Sequence, residues 1–127
     1  MGLILDTNAL SNFADGQPEV VRILGQVPQI TVPVIVLGEY QFGIAGSRNR
    51  VAYTGWLKQL LAICTVLRID EETAVEYAGL RMELKAVGTP IPSNDIWIAA
   101  LCRQHSHSIL SRDRHFDLVH GLRRLTW

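Results

Sequence analysis

Short apolar runs separated by helical segments constrain the fold of this chain more than any other feature. The runs cover residues 3–5, 30–32, 65–69 and 108–111, and a weaker one covers 122–126. The first lacks polar alternation, as is typical of a strand buried on both faces of a parallel sheet, and the second is interpreted as another buried strand. Strands and helices that alternate in this way predict an α/β fold with a mostly parallel central sheet flanked by helices.

Helix signals fill the gaps between these runs. Thr7 or Asn8 can cap a first helix, and Asp70 with its following acids marks the start of another. Ser93 can cap a mostly apolar helix that must lie centrally in the fold. The predicted helices cover 7–14, 18–25, a segment starting at Pro33, 48–63, 71–86 and 95–104. Gly38 and Gly43, in the third helix, are expected to permit close helix packing.

Composition limits the class of protein. The 127 residues are 48% hydrophobic and 19% charged, which predicts one globular domain over residues 1–127. No apolar stretch approaches the roughly 18 residues of a membrane span, and no secretory signal is visible, so a cytoplasmic location is expected. Cys64 and Cys102 stand in apolar surroundings and are interpreted as core residues. The net charge of zero predicts that any contact with nucleic acid is local.

Four acidic residues lie where one apolar element gives way to the next: Asp6, Glu39, Asp95 and Asp113. Asp6 and Asp113 follow predicted strands, so they should meet at the edge of the sheet where ligands bind. Neighbouring carboxylates raise one another's pKa unless a cation compensates them. Oxygen ligands suit Mg²⁺ or Mn²⁺, which can activate water for phosphodiester hydrolysis. The four acids therefore predict a shared metal site.

Each acid has a structural alternative when it is taken alone. An Asp after a strand often caps a turn or helix, and a first-turn Asp often serves the helix dipole. A mid-helix Glu is commonly solvated. Glu39 and Asp95 lie in strongly apolar surroundings, however, where an unpaired carboxylate is costly. The set is therefore better explained by function than by four separate structural roles.

The sequence around these acids resembles a known family. Leu-Asp6-Thr-Asn-Ala-Leu, Val-Leu-Gly-Glu39-Tyr, Ser-Asn-Asp95-Ile-Trp-Ile-Ala-Ala and Leu-Ser-Arg-Asp113-Arg-His-Phe occur in the order seen in PIN-domain ribonucleases, and most closely in VapC-type toxins. The resemblance spans nearly the whole chain. It implies an endoribonuclease that binds Mg²⁺ or Mn²⁺, forms a homodimer and is blocked by a small antitoxin.

The resemblance also implies roles for individual residues. Asp6, Asp95 and Asp113 would bind the metal and, with Glu39, form the catalytic set. The hydroxyl of Ser111, where the family more often has Thr, could bond a ligand or a metal-bound water. Asp117 is a less certain fifth acid, since the position of this acid varies in the family.

Several neighbours have open interpretations. Thr7 and Asn8 either cap the first helix or support the site, where Asn8 could orient a phosphate. Arg112 either grips a phosphate or is solvated. His115 could assist protonation of the leaving oxygen, although a loop histidine is the simpler interpretation. His105 and His107 lack nearby carboxylates and do not predict a zinc site.

Two other classes of protein remain as alternatives. A receiver-like signalling module would need paired acids after the first strand and a late lysine, and neither is present. A non-catalytic module that binds RNA or protein by sequestration would keep the fold without turnover. The missing features argue against the receiver, and the intact acid set argues against the sequestration module.

Overall fold

Within the residues that the structure describes, five parallel strands form the central sheet. The computed structural model describes residues 2–127. All strand pairs are parallel, which confirms the predicted fold class. The strands are β1 (Leu3–Leu5), β2 (Ile30–Pro33), β3 (Thr65–Leu67), β4 (Ser108–Leu110) and β5 (Arg124–Leu125). Their order across the sheet is β3-β2-β1-β4-β5.

β1 lies at the centre of the sheet and is buried throughout, as is β4 beside it. Ile4 pairs with Ile109, and both are fully buried. β2 and β3 lie on one side of β1 in the sheet, and the later strands β4 and β5 lie on its other side. The order of the strands thus reverses between β1 and β4, and the carboxyl ends of these two strands border the crevice where open α/β sheets bind ligands.

In the described part of the chain, six helices and one short 3₁₀ helix connect the strands. The six were all predicted, with boundaries that differ by up to two residues. The 3₁₀ helix was not predicted. They are α1 (Thr7–Ala14), α2 (Pro18–Leu24), α3 (Val34–Ile44), α4 (Arg50–Leu61), α5 (Glu71–Ala86), α6 (Ser93–His105) and the 3₁₀ helix (Arg114–Leu118).

α6 is the central helix, as its apolar sequence predicted. Ile96 and the run 98–102 are buried. α5 packs along it, and Thr73 of α5 donates a hydrogen bond to Gln104 of α6 at 2.6 Å. Asp70 caps α5 through a reciprocal capping box with Thr73, and Gly88 follows the helix with a left-handed φ of 70°. α5 therefore contacts α6 near its last turn, where Gln104 lies.

Three local expectations were wrong. The N-cap of α1 is Asp6, not Thr7 or Asn8, because Asp6 accepts the hydrogen bond from the backbone of Thr7. α6 begins at Ser93 behind Pro92 without a side-chain cap, since the Ser93 hydroxyl instead bonds Tyr77. Gly38 and Gly43 do not permit close packing, because a Cβ at either position would meet no atom within 4 Å.

Two further expectations concern membranes and cysteines. Within residues 2–127, no helix is both long and apolar enough to cross a membrane. Cys102 is buried and Cys64 is half-buried, and both are free thiols. The interpretation of Cys102 as a core residue is confirmed.

Candidate metal centre

Asp6 is held at the carboxyl end of β1 by three donors. Its Oδ1 accepts the backbone N–H of Thr7 at 2.7 Å, and its Oδ2 accepts the hydroxyl of Ser111 at 2.7 Å. The side-chain amide of Asn8 donates to the same Oδ2 at 3.3 Å. Asp6 is only 5% exposed. These contacts fix the carboxylate and tie β1 to the chain that leaves β4.

Glu39 reaches the same edge from the middle of α3. Its Oε1 accepts the hydroxyl of Thr7 at 2.8 Å, and its Oε2 lies 3.5 Å from the amide nitrogen of Asn94. Asn94 precedes Asp95 in the first turn of α6. Glu39 is therefore linked through single residues to both Asp6 and Asp95, as expected for one shared site.

Asp95 and Asp113 meet across the ring of His115. Nδ1 of His115 lies 3.1 Å from Oδ2 of Asp95 and 3.1 Å from Oδ1 of Asp113. One ligand atom from each of these three residues lies within 4.8 Å of the other two. The side chain of Asp95 is 14% exposed and that of Asp113 is 31% exposed. A group with two carboxylates and an imidazole could hold a divalent cation.

The carboxylates of the site repel one another in the absence of a metal cation. Burial raises the pKa of Asp6, and Glu39 and Asp113 raise it further against the hydrogen bonds from Ser111 and Thr7. Burial and the charge of Asp113 raise the pKa of Asp95 to about 6. The hydrogen bond to Asp95 raises the pKa of His115. Asp6, Asp95 and His115 therefore hold protons more tightly than isolated groups would, and a divalent metal would offset the repulsion between the carboxylates.

We expect Asp95→Asn to stabilise the metal-free protein by an amount that grows as pH rises from about 4 to about 7. The folded pKa of Asp95, about 6, lies above the unfolded value near 3.9. The stability linked to its protonation is therefore complete below about pH 4 and is lost as pH rises through about 6. Asparagine does not titrate, so the variant does not lose this stability as pH rises.

Thermal unfolding of both proteins in a chelator, over that pH range, measures the effect. Groups that do not contact Asp95, such as His107, cancel in the difference between parent and variant. His115 does not cancel, because Asp95 raises its pKa, but its contribution changes the difference in the same direction. A difference in Tm that stays constant or shrinks with rising pH would contradict the assigned environment of Asp95.

Arg112 and Asp117 occupy different positions around the carboxylate cluster. The backbone N–H of Arg112 donates to Oδ1 of Asn8 at 3.1 Å, so the residue is fixed beside Asp6. Asp117 instead forms a two-pronged ion pair with Arg124, at 2.8 and 2.9 Å. Arg124 also donates to the carbonyl of Ser111 at 3.0 Å. Asp117 thus supports the loop after β4 and does not join the carboxylate cluster.

The structure brings together most of the residues that the sequence singled out. Asp6, Glu39, Asp95 and Asp113 converge at the carboxyl edge, with Thr7, Asn8 and Ser111 as direct hydrogen-bond partners. His115 contacts two of the acids, although the sequence favoured its interpretation as a loop histidine. Its position two residues after Asp113 was the only available signal.

Comparison with known proteins identifies the family of the chain. Residues 3–122 match the PIN domain. The chain belongs to the PIN domain family. Two relatives are toxin FitB of Neisseria gonorrhoeae, 30% identical over 87% of each chain, and ribonuclease VapC4 of Mycobacterium tuberculosis, 33% identical over 75% of each chain.

Solved structures agree with this PIN fold. FitAcB from Neisseria gonorrhoeae superposes with a TM-score of 0.82 at 27% identity, over 97% of this chain and 96% of that chain. VapBC2 from Rickettsia felis, bound to a DNA fragment from its promoter, superposes with a TM-score of 0.86 at 23% identity, over 100% of this chain and 99% of that chain. The PIN domain therefore accounts for the five-stranded sheet and its helices.

Proposed function

We propose that this PIN domain is a metal-dependent endoribonuclease, the toxin of a type II toxin–antitoxin pair, and that residues 1–127 form its single nuclease domain. The observation that carries the proposal is the convergence of four carboxylates from β1, α3, α6 and the chain after β4 at the switch point of the sheet. Relatives named as a toxin and as ribonucleases support it.

The donor set fits a hard divalent cation. Asp6, Asp95 and Asp113 would hold Mg²⁺ or Mn²⁺, both of which favour carboxylate and water ligands. When bound, such an ion supplies Lewis acidity and lowers the pKa of a coordinated water. The raised pKa of Asp6 and of Asp95 supports this assignment, because their charges lack compensation in the metal-free protein.

The remaining polar residues hold this arrangement in place. Ser111 and Thr7 each donate to a carboxylate, Asp6 and Glu39 respectively, and so orient both acids. Among the residues that the structure describes, Oε2 of Glu39 has only the long contact to Asn94, so it can accept a proton from an attacking water. Hydrolysis of the RNA backbone then adds water across the P–O bond and places a proton on the leaving oxygen.

Arg112 is positioned to bind a phosphate that flanks the bond to be cut. Its guanidinium lies over the ring of Trp127 at 4.8 Å, which restricts its direction. Arg22, Arg103 and Arg124 each pair with a carboxylate, whereas Arg112 has no carboxylate partner in the described part of the chain. The side chain of Asn8, which also contacts Asp6, holds the backbone of Arg112 beside that acid.

We expect Arg112→Ala to raise the KM for RNA about tenfold and to change kcat less than about threefold, since one hydrogen bond to a charged phosphate contributes about 1.5 kcal/mol. Initial rates at several salt concentrations would measure this and should show a shallower salt dependence. Arg123→Ala is the matched control, because Arg123 precedes β5 at the opposite edge of the sheet. Equal effects of the two substitutions would contradict the role of Arg112.

The partners of the toxin follow from the same proposal. Several similar structures are complexes of a VapB or FitA protein with a VapC or FitB protein, which supports a small antitoxin as the partner of this chain. We also propose that the protein acts in the cytoplasm as a homodimer, and that RNA is its substrate.

Mapping of new RNA 5′ ends after brief induction in cells tests the proposed function. The protein would be compared with a folded Asp6→Asn/Asp95→Asn double variant. Discrete ends that arise only with the parent protein are expected. Identical end profiles for the two proteins would favour the alternative of a non-catalytic module that acts by sequestration.

A further inference from the structure

His115 lies where a ligand of the metal would lie. It is the second residue of the 3₁₀ helix Arg114–Leu118, and its backbone N–H donates to Oδ1 of Asp113 at 2.9 Å. The next residue, Phe116, is fully buried and anchors this turn in the core. The ring of His115 is thus carried by a fixed backbone, between the side chains of Asp95 and Asp113.

The distances match the edges of a coordination octahedron. Two ligand atoms about 2.1 Å from an ion and at right angles to each other lie about 3.0 Å apart. Nδ1 of His115 lies 3.1 Å from one oxygen of each carboxylate. In the metal-free protein an N–H···O bond explains this spacing equally well. When the proton on Nδ1 passes to solvent, the lone pair that replaces it faces the same two oxygens.

We propose that Nδ1 of His115 ligates the ion held by Asp95 and Asp113, and that this nitrogen makes the site select Mn²⁺ over Mg²⁺. The proposal rests on the proposed function, in that it places the catalytic ion at these acids. Mg²⁺ favours oxygen ligands, whereas imidazole suits transition metals. A site made of carboxylates alone would discriminate less between the two ions.

The competing interpretation gives the opposite result. If protonated His115 only replaces the missing cation, metal must displace the ring before it can bind. Removal of the imidazole would then strengthen the binding of both ions. If His115 is a ligand, its removal weakens Mn²⁺ binding and affects Mg²⁺ much less.

Direct metal titration of the full chain separates these cases. Dissociation constants for Mn²⁺ and Mg²⁺ would be measured by calorimetry on the parent protein, His115→Ala and His115→Gln. We expect His115→Ala to weaken Mn²⁺ binding at least about tenfold, the loss typical of residues that support a metal site. Mg²⁺ binding should change less than about threefold. His105→Ala is the control, because His105 ends α6 about 15 Å from its first turn.

Pulsed electron paramagnetic resonance of the Mn²⁺-loaded parent gives a second readout that needs no variant. Coupling to a directly bound ¹⁴N nucleus is expected, and it should vanish in folded His115→Ala. Absence of the coupling in the parent, or unchanged or tighter Mn²⁺ binding by His115→Ala, would overturn the proposal. Nitrogen coupling without any RNA cleavage would instead contradict the proposed function, but it would still support the assignment of His115 as a metal ligand.

Discussion

Substitution of Asp6 by asparagine is expected to abolish RNA cleavage while the fold persists. We expect a loss of about a thousandfold or more, because even residues that only support metal ligands contribute about 10- to 100-fold. Asp6 is the most buried of the four acids and lies at the end of the central strand. The substitution removes a negative charge at the carboxyl end of β1, beside the carboxyl end of β4.

The fold should tolerate this change. The amide oxygen of asparagine can still accept the N–H of Thr7, so α1 keeps its cap. The amide can donate to the hydroxyl oxygen of Ser111, which now donates to Asp6. Burial and neighbouring carboxylates raise the pKa of Asp6, so a neutral side chain removes an electrostatic cost. The Tm of the metal-free variant should therefore equal or exceed that of the parent.

Cleavage rates, metal titration and thermal unfolding on the same preparations measure these effects. Asp15→Asn is the matched control, because Asp15 is exposed and bonds only Tyr53 through its side chain among the described residues. Full cleavage by folded Asp6→Asn would show that Asp6 is not needed for catalysis. A large fall in the Tm of the metal-free variant would show that Asp6 is chiefly structural.

Phe116→Ala is expected to lower the free energy of unfolding by about 3–5 kcal/mol. Phe116 is the largest fully buried side chain in the described chain and fills the core beneath the loop that follows β4. Truncation leaves a cavity and releases the turn that carries Asp113 and His115. Metal binding should therefore weaken together with stability, although Phe116 itself has no ligand atom.

Chemical denaturation gives the free energy of unfolding, and titration at low temperature gives metal affinity in the folded state. Phe116→Leu fills most of the cavity and should cost less than about 1.5 kcal/mol. Phe42→Ala serves as the control, since Phe42 is 86% exposed on α3 and its truncation should change stability by less than about 0.5 kcal/mol. A Phe116→Ala protein as stable as the parent would contradict this core assignment.

The framework of the site could be predicted because its signals are local. The run Leu3–Leu5 lacks polar alternation, so its burial and the exit of Asp6 at the sheet edge follow from sequence. The apolar helix after Asp95 could only be central, and the capping residues before α5 defined its start. Convergence of the acids then follows from the parallel sheet, where the carboxyl ends of β1 and β4 lie side by side.

The details that were missed depend on contacts between distant segments. The 3₁₀ helix of five residues has no periodicity, so the approach of His115 to Asp95 was not visible. Asp117 pairs with Arg124 only because the turn before β5 brings them together. The cap of α1 was misplaced because the same Asp6 serves both as a cap and as a site residue, and local preference cannot assign two roles.

The reaction of the purified protein with RNA tests the central claim most directly. RNA would be incubated with the parent and with the folded Asp6→Asn/Asp95→Asn variant, first in a chelator and then with added Mn²⁺ or Mg²⁺. We predict no cleavage in the chelator, discrete internal cuts by the parent once metal is added, and none by the variant. Cleavage that persists without metal, or equal cleavage by both proteins, would contradict a carboxylate-bound metal as the origin of the activity.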